Sequence, residues 1–154
     1  MSVPLGVRFL RQRGVPHEVR EYELRVKGAE YAAKALGWPV EAMAKTLVVR
    51  LEDRGFCQCL LPGHVELSLK KLARAAGVKS ARMATTEEAE RLTGYLVGGI
   101  SPFGVRRRMP VWIHESLMAF DRIGVNGGRR GVIVFLSPRD AREVLAARVA
   151  DLAA

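Results

Sequence analysis

Two short apolar runs near the middle of the chain, Lys45-Thr46-Leu47-Val48-Val49-Arg50-Leu51 and Phe56-Cys57-Gln58-Cys59-Leu60-Leu61, are separated only by Glu52-Asp53-Arg54-Gly55. The runs are rich in β-branched and bulky apolar residues, and the segment between them consists of turn formers. Two paired central strands, 45–51 and 56–61, are the expectation. A hairpin at this place argues against a doubly wound parallel sheet, which would need regular alternation of strands and helices.

The flanking segments mix helical and strand patterns. Leu5, Phe9 and Leu10 fall at helical spacing before Gly14 and predict a short amphipathic helix over 5–13. Residues 17–23 alternate, with Val19 among charged neighbours and Tyr22 near the end, as an edge strand does. A second helix is expected over 29–36. Ser68 caps a third, with Leu69, Leu72, Ala73 and Ala76 on one face, and Thr85 with Glu88 forms a capping box for a fourth that runs to about Leu92. Strands follow at 111–114, around Ile123 and Val125, and at 132–136, the last two joined by Asn126-Gly127-Gly128. Ser137 caps a final helix that begins at Pro138 and carries Ala141, Val144, Leu145, Arg148 and Val149 on one stripe. The expected fold is α/β of the α+β kind, a mixed and largely antiparallel sheet with helices outside, forming a single domain over 1–154.

A chain of 154 residues can bury an ordinary core without covalent staples. Its 25 Lys and Arg against 16 acidic residues give a net charge of +9, which favours a polyanionic partner, nucleic acid first. An anionic membrane competes for that role, but no apolar stretch approaches the roughly 18 residues that a span requires. Met1-Ser2-Val3-Pro4-Leu5-Gly6 lacks the pattern of a secretory leader, so a soluble cytoplasmic protein with no membrane partner is expected. The cysteines, Cys57 and Cys59, are two apart in a strand and share a face. With His64 or His114 they match no standard zinc spacing, and buried reduced thiols, with no metal and no disulfide, are expected.

The segment most suggestive of chemistry is Gly94-Tyr95-Leu96-Val97-Gly98-Gly99-Ile100-Ser101-Pro102-Phe103-Gly104, followed by Arg106-Arg107-Arg108. Glycine lets a ligand approach backbone N–H groups without a Cβ in the way, and such groups bind phosphate or a developing oxyanion. Pro102 stiffens the segment and biases Ser101 towards an extended conformation. A tight turn followed by three solvated arginines satisfies the same spacing. The pattern is neither a P-loop nor a dinucleotide fingerprint, which disfavours nucleotide hydrolysis.

Three stretches together carry a family resemblance: Ala44-Lys45-Thr46-Leu47-Val48-Val49, Glu66-Leu67-Ser68-Leu69-Lys70-Lys71-Leu72-Ala73, and Glu90-Arg91-Leu92-Thr93 running into the glycine segment. They resemble the YbaK/EbsC family, free-standing relatives of the editing domain inserted in bacterial prolyl-tRNA synthetases, and the similarity runs from about Val15 to the final helix. The resemblance implies a barrel-like mixed sheet and hydrolysis, in trans, of the ester linking a wrong amino acid to tRNA, most typically cysteine or alanine on tRNA(Pro). It implies no cofactor. Aminoacylated tRNA is the implied partner and prolyl-tRNA synthetase a further candidate.

Carried over residue by residue, the resemblance makes Lys45, Gly98 and Gly99 the catalytic set, with the loop amides holding the oxyanion. Tyr22, Thr46, Ile100, Ser101, Pro102 and Asn126 become substrate-binding residues. Ser101 reads better as a turn-forming hydroxyl than as a nucleophile, because no histidine lies near it in sequence. The attacking group is either the substrate's own thiol or a water. Arg106, Arg107, Arg108, Arg129 and Arg130 are candidate tRNA phosphate contacts, and a solvated basic face accounts for each of them equally well. The chain departs from the family pattern in three places. The Tyr22–Lys45 linker is short, Ala44 replaces an aromatic residue, and Ile133 stands close to where cysteine-specific relatives carry an acid. That loss makes a non-catalytic tRNA- or nucleic-acid-binding module the main alternative, with a small-molecule esterase behind it.

Overall fold

The central hairpin forms as expected: β2 (Ala44–Leu51) and β3 (Gly55–Pro62) pair antiparallel from Ala44 opposite Pro62 to Leu51 opposite Gly55. Its turn places Asp53 at φ 62° and Gly55 at φ 79°, left-handed conformations that aspartate and glycine tolerate better than most residues. The structure, a computed structural model, describes residues 3–23 and 29–154. Met1 and Ser2 of the amino-terminal segment, and residues 24–28 of the Tyr22–Lys45 linker, lie outside the described residues.

The hairpin is the middle of a five-stranded sheet with order β4-β2-β3-β5-β8, in which β4 is Ala81–Met83, β5 is Val111–His114 and β8 is Arg148–Ala150. β4 joins β2 antiparallel, whereas β3–β5 and β5–β8 are parallel. A second, antiparallel sheet has β7 (Val132–Leu136) between β1 (Glu18–Glu21) and β6 (Ile123–Asn126), so the strand expected at an edge lies at one. The α/β architecture, mixed and largely antiparallel, agrees with expectation. The barrel-like detail does not: among the described residues neither sheet closes on itself. A lone bridge from Met43 to Gly124 links the β2 end of one sheet to β6 of the other.

Strand alternation divides the core. Cys57, Cys59 and Leu61 of β3 face α3 (Leu69–Ala76) and pack with Leu72, Val49 and Trp112. Leu60 points the other way, into the core shared with the second sheet, α1 (Leu5–Gln12) and α5 (Pro138–Leu145). Both cysteines are buried free thiols, and the Cys59 thiol is pushed up by its hydrogen bond to Cys57 and by burial. Under α2 (Ala29–Leu36), Ala32 and Ala33 pack against Met43, Ile133 and Phe135.

The predicted caps are present. The Ser68 hydroxyl accepts from Lys71 N–H, and Thr85 and Glu88 form a reciprocal box at the start of α4 (Thr86–Thr93). The final helix is shorter than its apolar stripe suggested. It stops at Leu145, and Ala146 takes φ 50°, so Arg148 and Val149 belong to β8 and pair with Trp112 and Ile113 of β5. The open edge of β5 offers these residues ladder hydrogen bonds that compete with a further helical turn. β4 was not predicted, since three residues carry too little pattern, and the edge of β2 recruits them.

Candidate active site

The ladder from β4 to β2 covers only Val49–Leu51 of β2, and Ala84 N–H adds a last bond to Val48 C=O at 3.0 Å. Beyond that point the β2 edge opens onto a cavity of about 460 Å³. Val48 C=O points to this side, so strand alternation aims Thr46 N–H and C=O the same way. The cavity walls come from Tyr22, Ala32 of α2, Met43, Ile133 of β7, Ala89 of α4 and the glycine segment at Val97, Gly98 and Ile100.

Lys45 is the only charged side chain among the described residues of this wall, and its ammonium donates to Gly63 C=O at 3.3 Å. One such bond leaves two N–H donors for a ligand. Thr46 Oγ1 is buried and has no partner among the described residues. Tyr22 stands at the wall with its ring tilted against Tyr31, 5.8 Å between centroids. Burial pushes its phenol above the ordinary value, opposed by a backbone hydrogen bond at Gly131 and by the Arg130 charge. The lining holds no histidine, cysteine or carboxylate among the described residues, so acid–base chemistry by such a side chain is not what this wall offers.

The glycine segment is held as a rigid wall. Tyr95 O–H donates to Phe103 C=O, the Thr93 hydroxyl accepts from Tyr95 N–H at 3.1 Å, and a Glu90 carboxylate oxygen accepts from Val97 N–H at 2.8 Å. Burial pushes the Tyr95 phenol up to about 12, which keeps it a donor. Asn126 lines the cavity and braces the segment, donating from Nδ2 to Gly98 C=O at 3.5 Å while Oδ1 accepts from Gly128 N–H at 2.7 Å.

The two loop glycines part company. Gly98, at φ 97°, lines the cavity, and its N–H has no acceptor among the described residues. Gly99 N–H is spent on Leu96 C=O at 2.9 Å, and Gly99 lies outside this lining. A Cβ on Gly99 would sit 2.8 Å from Arg130 N, so its glycine serves close packing against the 126–131 turn. Ser101 is also outside the lining; it is fully buried and its hydroxyl accepts from Phe103 N–H at 3.1 Å, the turn-forming role. Pro102 lines a different cavity.

The aminoacyl-tRNA editing domain model matches residues 24–144, a span that includes the β2 edge, Lys45 and the whole glycine segment. The chain belongs to this family. It is 35% identical over 137 residues to an Enterococcus faecalis protein named as a candidate Cys-tRNA(Pro)/Cys-tRNA(Cys) deacylase, EbsC, covering 86% of this chain and 82% of that one. It is 28% identical over 138 residues, covering 87% and 82%, to the Escherichia coli multifunctional Ser/Thr-tRNA deacylase ProXp-y. A crystal structure described as a candidate trans-editing enzyme for prolyl-tRNA synthetase superposes with a TM-score of 0.88 at 30% identity, covering 99% of both chains.

In this editing domain the predicted arginines stand apart from Lys45. Arg129 and Arg130, with Arg8, line a separate cavity on the flank of the segment, where Arg129 also lies 3.6 Å from Glu21. Arg108 lines yet another cavity, and Arg106 and Arg107 are exposed. Sequence reasoning missed Met43, Ala84 and Ala89 as lining residues, because small apolar side chains carry no chemical signal.

Proposed function

We propose that the protein hydrolyses the ester of mischarged aminoacyl-tRNA in trans, with the aminoacyl end seated against the β2 edge and Lys45 as its electrostatic anchor. The observation that carries this reading is that Lys45, the only charged side chain of the wall among the described residues, and Gly98, whose N–H has no acceptor among them, line one apolar cavity of about 460 Å³. Water adds to the ester carbonyl, the oxyanion is held by Gly98 N–H and the Lys45 ammonium, and collapse expels the ribose hydroxyl of the terminal adenosine. Free amino acid and uncharged tRNA result. Positioning and preorganised donors supply the rate, a reading supported by a described wall without histidine, cysteine or carboxylate. Thr46 Oγ1 and C=O accept from the substrate ammonium, the task an acid would have near Ile133. Tyr22, Ile100 and Asn126 complete the substrate contacts, while Gly99, Ser101 and Pro102 support the loop.

The walls of Ala32, Met43, Ala89 and Ile133 favour a small uncharged side chain, and Cys- or Ala-tRNA(Pro), products of prolyl-tRNA synthetase errors, are the leading substrates. The test is amino-acid release from a panel of Cys-, Ala-, Ser- and Thr-charged tRNA(Pro), read against correctly charged Pro-tRNA(Pro). Release from the cysteine or alanine member is expected. Absence of release from every member, with tRNA still bound, would establish the binding-module reading instead.

A further inference from the structure

Gln58 lies in the middle of β3, between Val48 of β2 and Val111 of β5, on the same side of the strand as Leu60. Its side chain is fully buried, and neither Nε2 nor Oε1 has a hydrogen-bond partner among the described residues. A buried amide with both ends unmet is rare in a folded protein and calls for a missing partner. Gln58 lines a cavity of about 300 Å³ enclosed by α1, α5 and the far end of the glycine segment at Pro102 and Gly104. Arg13 and Arg108, both exposed, line the same cavity. Phe9 supplies an aromatic wall; it stacks on Phe103 at 6.3 Å, and the Arg13 guanidinium lies 3.8 Å from its ring centre.

We propose that this cavity is a second ligand site, independent of the Lys45 cavity, that takes a nucleobase with its phosphate. A primary amide presents one donor and one acceptor side by side, the complement of the paired donor and acceptor on the edge of a base such as adenine. The remaining features suit the rest of a nucleotide. The Arg13 guanidinium, whose inner face covers Phe9, offers its outer face for stacking, and Arg13 and Arg108 offer charge for the phosphate. Water alone would meet the amide but leaves Arg108, which has no partner among the described residues, without a role. The base comes either from an unpaired nucleotide of tRNA or from a free mononucleotide, and the chemistry is shared.

The test follows the Gln58 side-chain amide by ¹⁵N–¹H NMR on the full chain. AMP, CMP, GMP and UMP are titrated in turn, with ribose 5-phosphate and inorganic phosphate as controls. At least one nucleotide is expected to shift the Gln58 NH₂ pair while both controls leave it in place. Uncharged tRNA that competes for the same shift identifies RNA as the source; tRNA that does not compete identifies a free nucleotide. Gln58→Met keeps the volume, removes both polar ends and is expected to weaken binding about tenfold or more. Arg108→Ala, at an exposed position that leaves the core intact, is expected to weaken it several-fold. Lys45→Ala is expected to change nothing here, so loss of ester hydrolysis and loss of this site are read separately. Immobile Gln58 resonances with all four nucleotides and with tRNA, or an equal response to inorganic phosphate, would overturn the proposal.

Discussion

The two ends of the glycine segment border cavities of different construction. At the Gly98 end, two polar side chains have partners already, since Lys45 holds Gly63 C=O and Asn126 holds Gly98 and Gly128, while Thr46 Oγ1 has none among the described residues. At the Gly104 end, the polar side chain of Gln58 has no partner among the described residues. The first arrangement is preorganised, so a ligand meets donors already aimed at it. The second gives up folding stability until something binds. Buried polar groups therefore divide by what they do without a ligand, and an unmet one marks where a ligand supplies the missing bonds.

The sharpest way to break this contrast is Lys45→Ala. Ester hydrolysis is expected to fall about a hundredfold or more, the scale of losing a preorganised electrostatic donor. Folding stability should shift by less than about 0.5 kcal/mol, because Lys45 is only half-buried. The measurement is kcat/KM on a mischarged tRNA beside a thermal melt; unchanged kcat/KM would remove Lys45 from the chemistry.

Gly99→Ala tests the shared wall. The new Cβ would meet Arg130 N at 2.8 Å and Arg129 Cα at 3.0 Å, and backbone cannot swing aside as a side-chain tip can. A loss of about 1–3 kcal/mol in urea unfolding is expected. Activity should fall with it as Gly98 is displaced. Full activity at reduced stability would uncouple Gly98 from the 126–131 turn.

Gln58→Met, the opposite case, should raise stability by about 1 kcal/mol by removing two unmet polar ends at constant volume. The turnover number on mischarged tRNA should stay put, since Gln58 lies outside the Lys45 cavity. A destabilised variant would mean that the amide already has its partner in the folded chain.

The smallest effect concerns the cap of α4, the helix that brings Ala89 to the Lys45 cavity. The Arg82 guanidinium, helped by Thr85 N–H, lowers the Glu88 carboxyl from 4.5 to about 2. A carboxyl lowered on folding stabilises above its unfolded value and loses that contribution as pH falls from about 4.5 towards 2. The difference in urea midpoint between wild type and Glu88→Gln should therefore be full at pH 7 and shrink to a small remainder at pH 2. Because both partners are solvent-exposed, it will be slight. A difference that persists undiminished at pH 2 would assign the cap to the neutral hydrogen bonds alone.

Much of the fold was legible. The β2–β3 hairpin, the Ser68 and Thr85 caps and the edge position of β1 follow from patterns a few residues long. Arg148 and Val149 were misplaced because their helical stripe is real, and only the open edge of β5 outcompetes it. In the site, Lys45 and Gly98 were legible through the family resemblance, and the structure places both on one cavity. Gly99 was placed beside Gly98 for the same reason, although its N–H proves to be engaged within the loop. The polar Gln58, set between two cysteines in an apolar strand, was a visible signal that went unread.

By itself the sequence determined what local physics can encode: strand pairing from β-branched runs, helix ends from capping side chains, and a basic, glycine-bearing loop with a recognisable family pattern. The tertiary structure alone decided which amides of that loop stay free, where the edge of β2 is left bare, and which polar side chains, those of Thr46 and Gln58, are buried without a partner among the described residues. Those properties depend on what lies across the gap from a residue, and that neighbour comes from elements far away in the chain, such as α1 and α5 around Gln58 or β7 opposite Lys45.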